Sequence, residues 1–257
     1  MPARRHSAHS PRAQSRPGAV RKAQHSSCIR RASAVIAHSP AAKERIASEF
    51  RTPRQRIHVI PHGDLSVVLP LPVPQVEARS RLDLPAGPLC LISGAVEPYK
   101  GIEEIVAVWR KERPEITLVI AGKPITDAYR SELEAAAVGI PKIALRFAWL
   151  DDEQLGLWLS AADVVLFNYR EIFTSGAACL ARSRGIPILL PARLHTVDLD
   201  EPHRAVVRFE SPGSDLLTKL QTLLYTPSSY EAAAPWREAT AWPRIAKLTA
   251  ATYRPAR

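Results

Sequence analysis

Cysteine and glycine are scarce in this chain of 257 residues, and each scarcity removes a class of protein. The three cysteines, Cys28, Cys90 and Cys179, lie far apart and form no Cys-x-x-Cys pair. A disulfide framework and a cysteine-held zinc site are thereby disfavoured, and a reducing cytoplasm is the expected compartment. Eleven glycines against 23 prolines exclude a glycine-rich low-complexity chain. No run of 18 apolar residues occurs, which excludes a membrane-spanning helix, and the start has no apolar core of a secretory signal. Several catalytic signatures are missing as well. There is no G-x-G-x-x-G after a strand, no G-x-x-x-x-G-K-[ST] and no G-x-S-x-G, so a dinucleotide oxidoreductase, a P-loop ATPase and an α/β-hydrolase are all disfavoured. The histidines have no paired metal-ligand spacing, and no metal site is expected. His38 and His62 read as surface or capping residues, while His195 and His203 fall in a polar loop after a strand, where a ligand contact is open.

What is present begins with charge. The formal net charge is +10, with 35 basic and 25 acidic residues. Residues 1–31 hold Arg4, Arg5, Arg12, Arg16, Arg21, Lys22, Arg30 and Arg31 and no acid, so the rest of the chain is nearly balanced. The basicity belongs to a tail. That tail has no apolar periodicity and is expected to be disordered, since it has too little apolar surface to offset its ordering entropy. It lacks the amphipathic stripe of a transit peptide. Phosphate contacts by its arginines would make it a nucleic-acid binder, a reading that rests on the tail alone.

From residue 33 short apolar runs alternate with amphipathic stretches. Strands are expected at 33–38, 57–61, 89–93, 116–121, 143–149, 164–167, 187–190 and 205–209. Helices are expected from Ser39, where Pro40 follows a capping serine, and around 102–109, 127–138, 174–184, 216–224 and 242–253, with another opened by Asp151. Residues 64–87, interrupted by Pro70, Pro72, Pro74 and Pro85, read as a linker with a short helix. Buried strands alternating with helices of 10–12 residues predict an α/β fold, a Rossmann-like doubly wound parallel sheet. Ligands of such a sheet bind beyond the carboxyl ends of its strands, so the loops after Ser93, Ala121, Phe167 and Leu190 are where function is sought.

Those loops carry basic and small residues. Gly94 allows a tight turn after the first core strand, and Lys100 stands just before a helix start, where a cation is unfavourable unless an anion joins it. Gly122-Lys123 follows the second strand. Thr174, Ser175, Gly176 and Ala177 open a helix after Phe167; Thr174 or Ser175 caps it, and Gly176 permits close approach to free N–H groups. Two lysines and a small-residue helix start at one edge of one sheet point to a diphosphate.

The order of these motifs resembles a known family. Ala32-Ser-Ala-Val-Ile-Ala-His-Ser39, Ile57-His-Val-Ile-Pro-His-Gly63, Gly94 with Tyr99-Lys-Gly101, Leu118-Val-Ile-Ala-Gly-Lys123, Ala161-Ala-Asp-Val-Val165, Thr174-Ser-Gly176 and Gly185-Ile-Pro187 together resemble the C-terminal half of GT-B glycosyltransferases of the retaining, family-four or group 1 type. The similarity spans roughly residues 32–253. It implies a lobe that binds a nucleotide sugar without a metal or other cofactor, with Gly94 under the diphosphate, Lys100 on it, and the Thr174–Ala177 helix start donating N–H groups to its oxygens. The 242–253 segment is similar to the terminal helix that crosses back to the other lobe. Three departures stand out. Ala95 replaces the usual arginine after the glycine. The Glu-x7-Glu signature would need glutamates at 172 and 180, where Ile172 and Leu180 stand; Glu171 is one place away and takes the first role. An acceptor lobe of about 150 residues does not precede residue 32.

The reading is therefore a disordered basic tail (1–31), a remnant strand, helix and linker of an N-terminal lobe (32–81), and a nucleotide-sugar-binding domain with a crossing helix (82–257). The expected activity is sugar transfer from a nucleotide sugar to an unknown acceptor, by the donor-binding lobe of a truncated or split enzyme whose acceptor side is a separate lobe or polypeptide. Donor-site residues are Gly94, Lys100, Lys123, Glu171, Thr174, Ser175, Gly176 and Ala177; no catalytic residue is identified. The alternative is a degenerate partner subunit that binds a nucleotide sugar without transferring it.

Overall fold

The computed structural model describes residues 28–195, 197, 199, 205–227 and 229–253. Residues 1–27 and His203 lie outside the described residues. The expected tail stops short of residue 31, because residues 28–31 form a helical turn whose Ile29 packs on a neighbouring apolar cluster. The backbone carbonyl of Arg30 also accepts from Arg56, which ties the turn to the body of the chain.

The first unit is small. Strands β1 (Val35–Ala37) and β2 (Ile57–Val59) pair in parallel, and helix α1 (Pro40–Glu49) connects them. Ser39 caps α1 by accepting from the Ala42 N–H, and Pro40 occupies the first turn, where its missing N–H costs nothing. Both strands are shorter than the expected 33–38 and 57–61: the pairing ends where the Ile60 N–H donates to the Ala37 carbonyl, and Pro61 has no N–H to extend it.

A linker containing the short helix α2 (Gln75–Arg81) leads to the main sheet. Arg79 pairs with Asp163 at 2.7 Å, and Asp163 also accepts from the Gln75 side chain and the Leu89 N–H, so α2 is tied to the amino ends of two core strands.

The main sheet contains β3 (Leu89–Ser93), β4 (Thr117–Ala121), β5 (Ile143–Arg146), β6 (Val164–Leu166), β7 (Ile188–Pro191) and β8 (Val206–Phe209). All neighbours are parallel, in the order β5-β4-β3-β6-β7-β8. Between the strands run α3 (Ile102–Glu112), α4 (Asp127–Ala137), α5 (Asp152–Ala161) and α6 (Gly176–Ser183); α7 (Leu216–Leu224) follows β8, and α8 (Ala234–Ala239) and α9 (Trp242–Tyr253) come after it. Side-chain alternation makes the sheet two-faced. Leu89 and Leu91 join one buried cluster with Trp158, Leu159 and Ala181, whereas Cys90 and Ile92 join the other with Ile105, Trp109 and Leu220.

The expected strand 143–149 ends at Arg146, because Gly122 takes the Arg146 carbonyl and the chain then turns away. Helix α8 is absent from the sequence reading: Pro235 near its start masks a six-residue helix that packs Trp236 against α6, with its indole donating to Ser183. The chain order runs outward from β3 to β5 and then returns to β6, so the switch point lies between β3 and β6. A crevice opens there beyond the strand carboxyl ends.

Candidate functional site

The crevice begins where β3 ends. Gly94 follows Ser93 with φ of 88°, and its N–H donates to the Ala121 carbonyl at the end of β4. The loops after these two strands then zip together: Val96 donates to the Lys123 carbonyl at 2.9 Å and Ile125 to the Val96 carbonyl at 3.0 Å. The pairing requires glycine at 122. With φ of 148°, any Cβ there would stand 1.9 Å from the Gly94 carbonyl oxygen.

The turn Pro98–Lys100 then reverses the chain, and Gly101, in the left-handed region at φ 59°, starts α3. This folds Lys100 back over β3. The side chain is only 5% exposed, its Nζ donates to the Ser93 carbonyl at 2.9 Å, and it lies over the Tyr169 ring at 5.8 Å from the centroid. Lys100 forms no ion pair among the described residues. Burial pulls its pKa from the usual lysine range down to about 8, an effect that Glu97 offsets in part. The turn thus sets a buried ammonium against Gly94, where a Cβ would stand 3.4 Å from Nζ.

Across the switch point, Asn168 and Tyr169 follow β6. Asn168 is buried and donates to the Gly101 carbonyl at 2.9 Å and to Glu104 at 3.0 Å, while Arg193 donates to its side-chain oxygen at 2.8 Å. A Cβ on Gly101 would collide with the Asn168 amide at 2.7 Å. Arg170 adds pairs to Glu103 and Glu104. The Lys100 turn is thereby bolted to the end of β6. Neither Asn168 nor Tyr169 was singled out in the sequence. Their place directly after a strand beside the switch point is a signal, but nothing local to the sequence says that they face Lys100.

Tyr169 also connects Lys100 to the start of α6. Its hydroxyl lies near Ser175, its ring packs against Tyr99 and Phe167, and burial pushes its phenol up. Ser175, not Thr174, caps α6, accepting from Ala178 N–H at 3.1 Å. Gly176 and Ala177 form the first turn, which carries no acid. Gly94 and Lys100 thus meet at the end of β3, with a Cβ on Gly94 3.4 Å from Nζ, and the Tyr169 ring lies beneath Lys100.

The other expected residues are placed differently. Lys123 is exposed and lines a neighbouring pocket of about 360 Å³ with Gly94, Gly122, Trp149 and Leu155. Glu171 is engaged by the small unit. Its carboxylate is held by Arg45 of α1, which also lies over the Phe173 ring at 4.1 Å and donates to the Ile172 carbonyl. Thr174 lines a separate small cavity beside His62. Leu180, at the second signature position, is a core residue. His195 is exposed, with its Nδ1 at 3.2 Å from the Arg193 carbonyl. The terminal helix α9 begins by clamping the segment after β2. The Trp242 indole donates to the Asp64 carbonyl at 2.8 Å and lies against Gly63.

Comparison with known proteins agrees with this architecture. The family model for Glycosyltransferase Family 4 matches residues 4–64. The chain is 30% identical over 169 residues to a GDP-mannose:glycolipid 4-beta-D-mannosyltransferase of Xanthomonas campestris pv. campestris, covering 62% of this chain and 46% of that protein. It is 33% identical over 195 residues to a D-inositol 3-phosphate glycosyltransferase of Xylanimonas cellulosilytica, covering 70% of this chain and again 46% of the relative. The chain thus spans about half the length of the curated relatives it matches. Among solved structures, sucrose-phosphate synthase from Thermosynechococcus elongatus superposes with a TM-score of 0.70 at 23% identity, over 96% of this chain and 63% of that one. The Anabaena protein HepE, solved with UDP and glucose, superposes with a TM-score of 0.67 at 15% identity, over 91% and 66%. Among the described residues no helix is long and apolar enough to cross a membrane.

Proposed function

We propose, for a chain related in sequence to group 1 glycosyltransferases and folded as one Rossmann-like lobe of the GT-B type, that it holds the nucleotide-sugar donor of a glycosyl transfer. One observation carries the reading: Lys100 is a buried ammonium with no ion-pair partner among the described residues, placed at the switch point of the sheet. A diphosphate seated on Gly94 would neutralise that charge in a low-dielectric setting, where a charge-assisted hydrogen bond is strong. Its oxygens would also meet the first N–H groups of α6 around Gly176 and Ala177. The adjoining pocket, floored by Gly94 and Gly122 and walled by Trp149 and Leu155, suits a flat nucleobase, with Lys123 at its rim. A lysine and a helix N-terminus together supply the positive charge a leaving diphosphate needs, so the reading requires no metal and no other cofactor. The acceptor belongs to a second lobe or polypeptide, and the compartment is the cytoplasm.

A second reading is favoured by two residues. Glu171 is engaged by Arg45, and Leu180 is buried where the family's second glutamate stands. A donor-binding partner that does not itself transfer sugar would tolerate both. Calorimetry with UDP, GDP and ADP separates the outcomes. Wild type should bind at least one of them, equally with and without a chelator, and Lys100→Ala should weaken that binding roughly tenfold to a hundredfold, more than Lys123→Ala does. Equal affinity for wild type and Lys100→Ala removes the diphosphate from this place. Binding by the lobe, with no transfer when an acceptor-side partner is added, supports the second reading.

A further inference from the structure

The turn that carries Lys100 is held from outside itself, by two residues that the diphosphate reading leaves without a role. The Gly101 carbonyl accepts from the Asn168 side-chain amide at 2.9 Å, and the Pro98 carbonyl accepts from Arg170 Nη1 at 2.9 Å. Between them, the Tyr99 carbonyl accepts from the backbone N–H of Arg170 at 2.8 Å. Carbonyls of Pro98, Tyr99 and Gly101 are thus all engaged by the chain that follows β6. We propose that Asn168 and Arg170 are positioning residues for Lys100: they fix the turn that lays its ammonium over the end of β3, and they touch no ligand themselves. The proposal rests on the donor reading for the ligand that Lys100 receives.

Asn168 is suited to this task by what holds it in turn. It is only 1% exposed, and both polar atoms of its side chain are engaged. Its Nδ2 donates to the Gly101 carbonyl and to Glu104 at 3.0 Å, while its Oδ1 accepts from Arg193 at 2.8 Å. An arginine only donates and a carbonyl only accepts, so the amide has a single orientation, with its donor end toward the turn. Arg193 also donates to the backbone carbonyls of Asn168 and Tyr169, each at 3.1 Å, which secures the segment. The guanidinium of Arg170 that reaches Pro98 also pairs with Glu103 and Glu104 in the first turn of α3. The fit is close, since a Cβ on Gly101 would stand 2.7 Å from the Asn168 amide nitrogen.

The hold matters because Lys100 has little else to keep it in place. Among the described residues its Nζ donates to the Ser93 carbonyl alone, and the ring of Tyr169 lies under it. The charged group acting on it is Glu97, on the same loop. Burying an ammonium costs free energy that one bond to a neutral carbonyl offsets only in part. A released turn would let the side chain move out into water and recover its hydration. The bonds from Asn168 and Arg170 oppose that movement.

The test reads Lys100 itself. NMR of lysine labelled at Cε, with Lys100→Arg to assign the resonance, follows the titration of its ammonium in the ligand-free chain. Wild type should titrate near pH 8. In Asn168→Ala the side chain gains water, and the midpoint should rise toward 10.5. Arg170→Lys keeps the charge at an exposed position but loses the fork that spans Pro98 and the two glutamates. It should move the midpoint the same way by less, and it decides the matter if Asn168→Ala does not fold. A midpoint unchanged in the folded variants, whatever their melting temperatures, overturns the proposal. Binding supplies the second arm. Asn168→Ala should weaken the nucleotide that wild type binds about threefold to thirtyfold. In a Lys100→Ala background the same change should cost less than about twofold, because no ammonium is left to place. Losses that multiply in full would overturn positioning through Lys100. A chain that binds no nucleotide refutes the donor reading, and the titration still decides whether Asn168 and Arg170 position the lysine.

Discussion

Lys100 sets the terms at the residue scale, because its position is unfavourable until something negative arrives. Its pKa falls from 10.5 in the open chain to about 8 in the fold, a difference on the order of 3 kcal/mol. The sign follows from proton counts. Between pH 8 and 10.5 the unfolded chain holds more protons than the folded one, so stability rises with pH through that window and is lowest below it. Lys100→Met removes the penalty. The ligand-free variant should melt higher than wild type at pH 7, and the gap should narrow as the pH is raised toward 10; a wild-type midpoint that falls relative to the variant over that range contradicts this account. Binding of the proposed diphosphate would have the opposite sign. It would stabilise the ammonium and take up a proton, so affinity should decline as pH rises past about 8. On the donor reading, stability of the empty chain and binding oppose one another at Lys100.

At the scale of elements, the site depends on two loops held in register by glycine. Gly122 and Gly139 both have positive φ, at 148° and 74°, but only the first is crowded; a Cβ on Gly139 meets nothing within 4 Å. Gly139→Ala should therefore cost only the left-handed backbone, about 1–2 kcal/mol. Gly122→Ala adds a collision with the Gly94 carbonyl and should cost about 3 kcal/mol or more, while abolishing nucleotide binding as the zipped loops part. Equal melting temperatures for the two variants would show that the loops do not depend on that contact. Helix ends matter in the same way. Ser175 holds the start of α6, and its loss to alanine should cost about 1 kcal/mol, a fall of roughly 2–4 °C for a chain of this size.

Over the whole molecule, stability is unevenly divided. The main sheet is buried on both faces, whereas the small unit rests on Ala37, Ala42, Ile46 and Ile57. It is fastened to the β6–α6 loop by Arg45 with Glu171 and by Phe50 against Phe173, whose centroids are 6.2 Å apart, and to α9 by Trp242. Amides of β1, β2 and α1 should exchange with solvent well before those of β3 and β4. Uniform protection across all five elements would mean that the small unit and the sheet open as one. Arg45→Ala, which also frees Glu171, should accelerate exchange in α1 and leave β3 unchanged.

The periodicity of apolar residues was enough to locate all eight strands of the described residues and most of their helices, and so the doubly wound class, because burial on a sheet imposes a pattern that neighbours in sequence carry. Caps were legible for the same reason: Ser39-Pro40 and Asp151 act within a few residues of themselves. Gly94, Lys100 and the Ser175–Ala177 turn were also visible, as basic and small residues at strand ends. What local sequence could not hold was any relation across the sheet. Strand order places β6 beside β3, and only that adjacency brings Asn168 to Gly101 and Tyr169 to Lys100. Glu171 looked like a donor ligand by its offset from Gly185, yet an arginine 126 residues earlier holds it. His38 and His62, read as surface residues, meet because β1 and β2 pair and a carbonyl fixes each ring. Alternation and capping are short-range and were written in the chain. Burial of a charge, the tautomer of a histidine and the partner of a carboxylate depend on which distant segments the sheet makes neighbours.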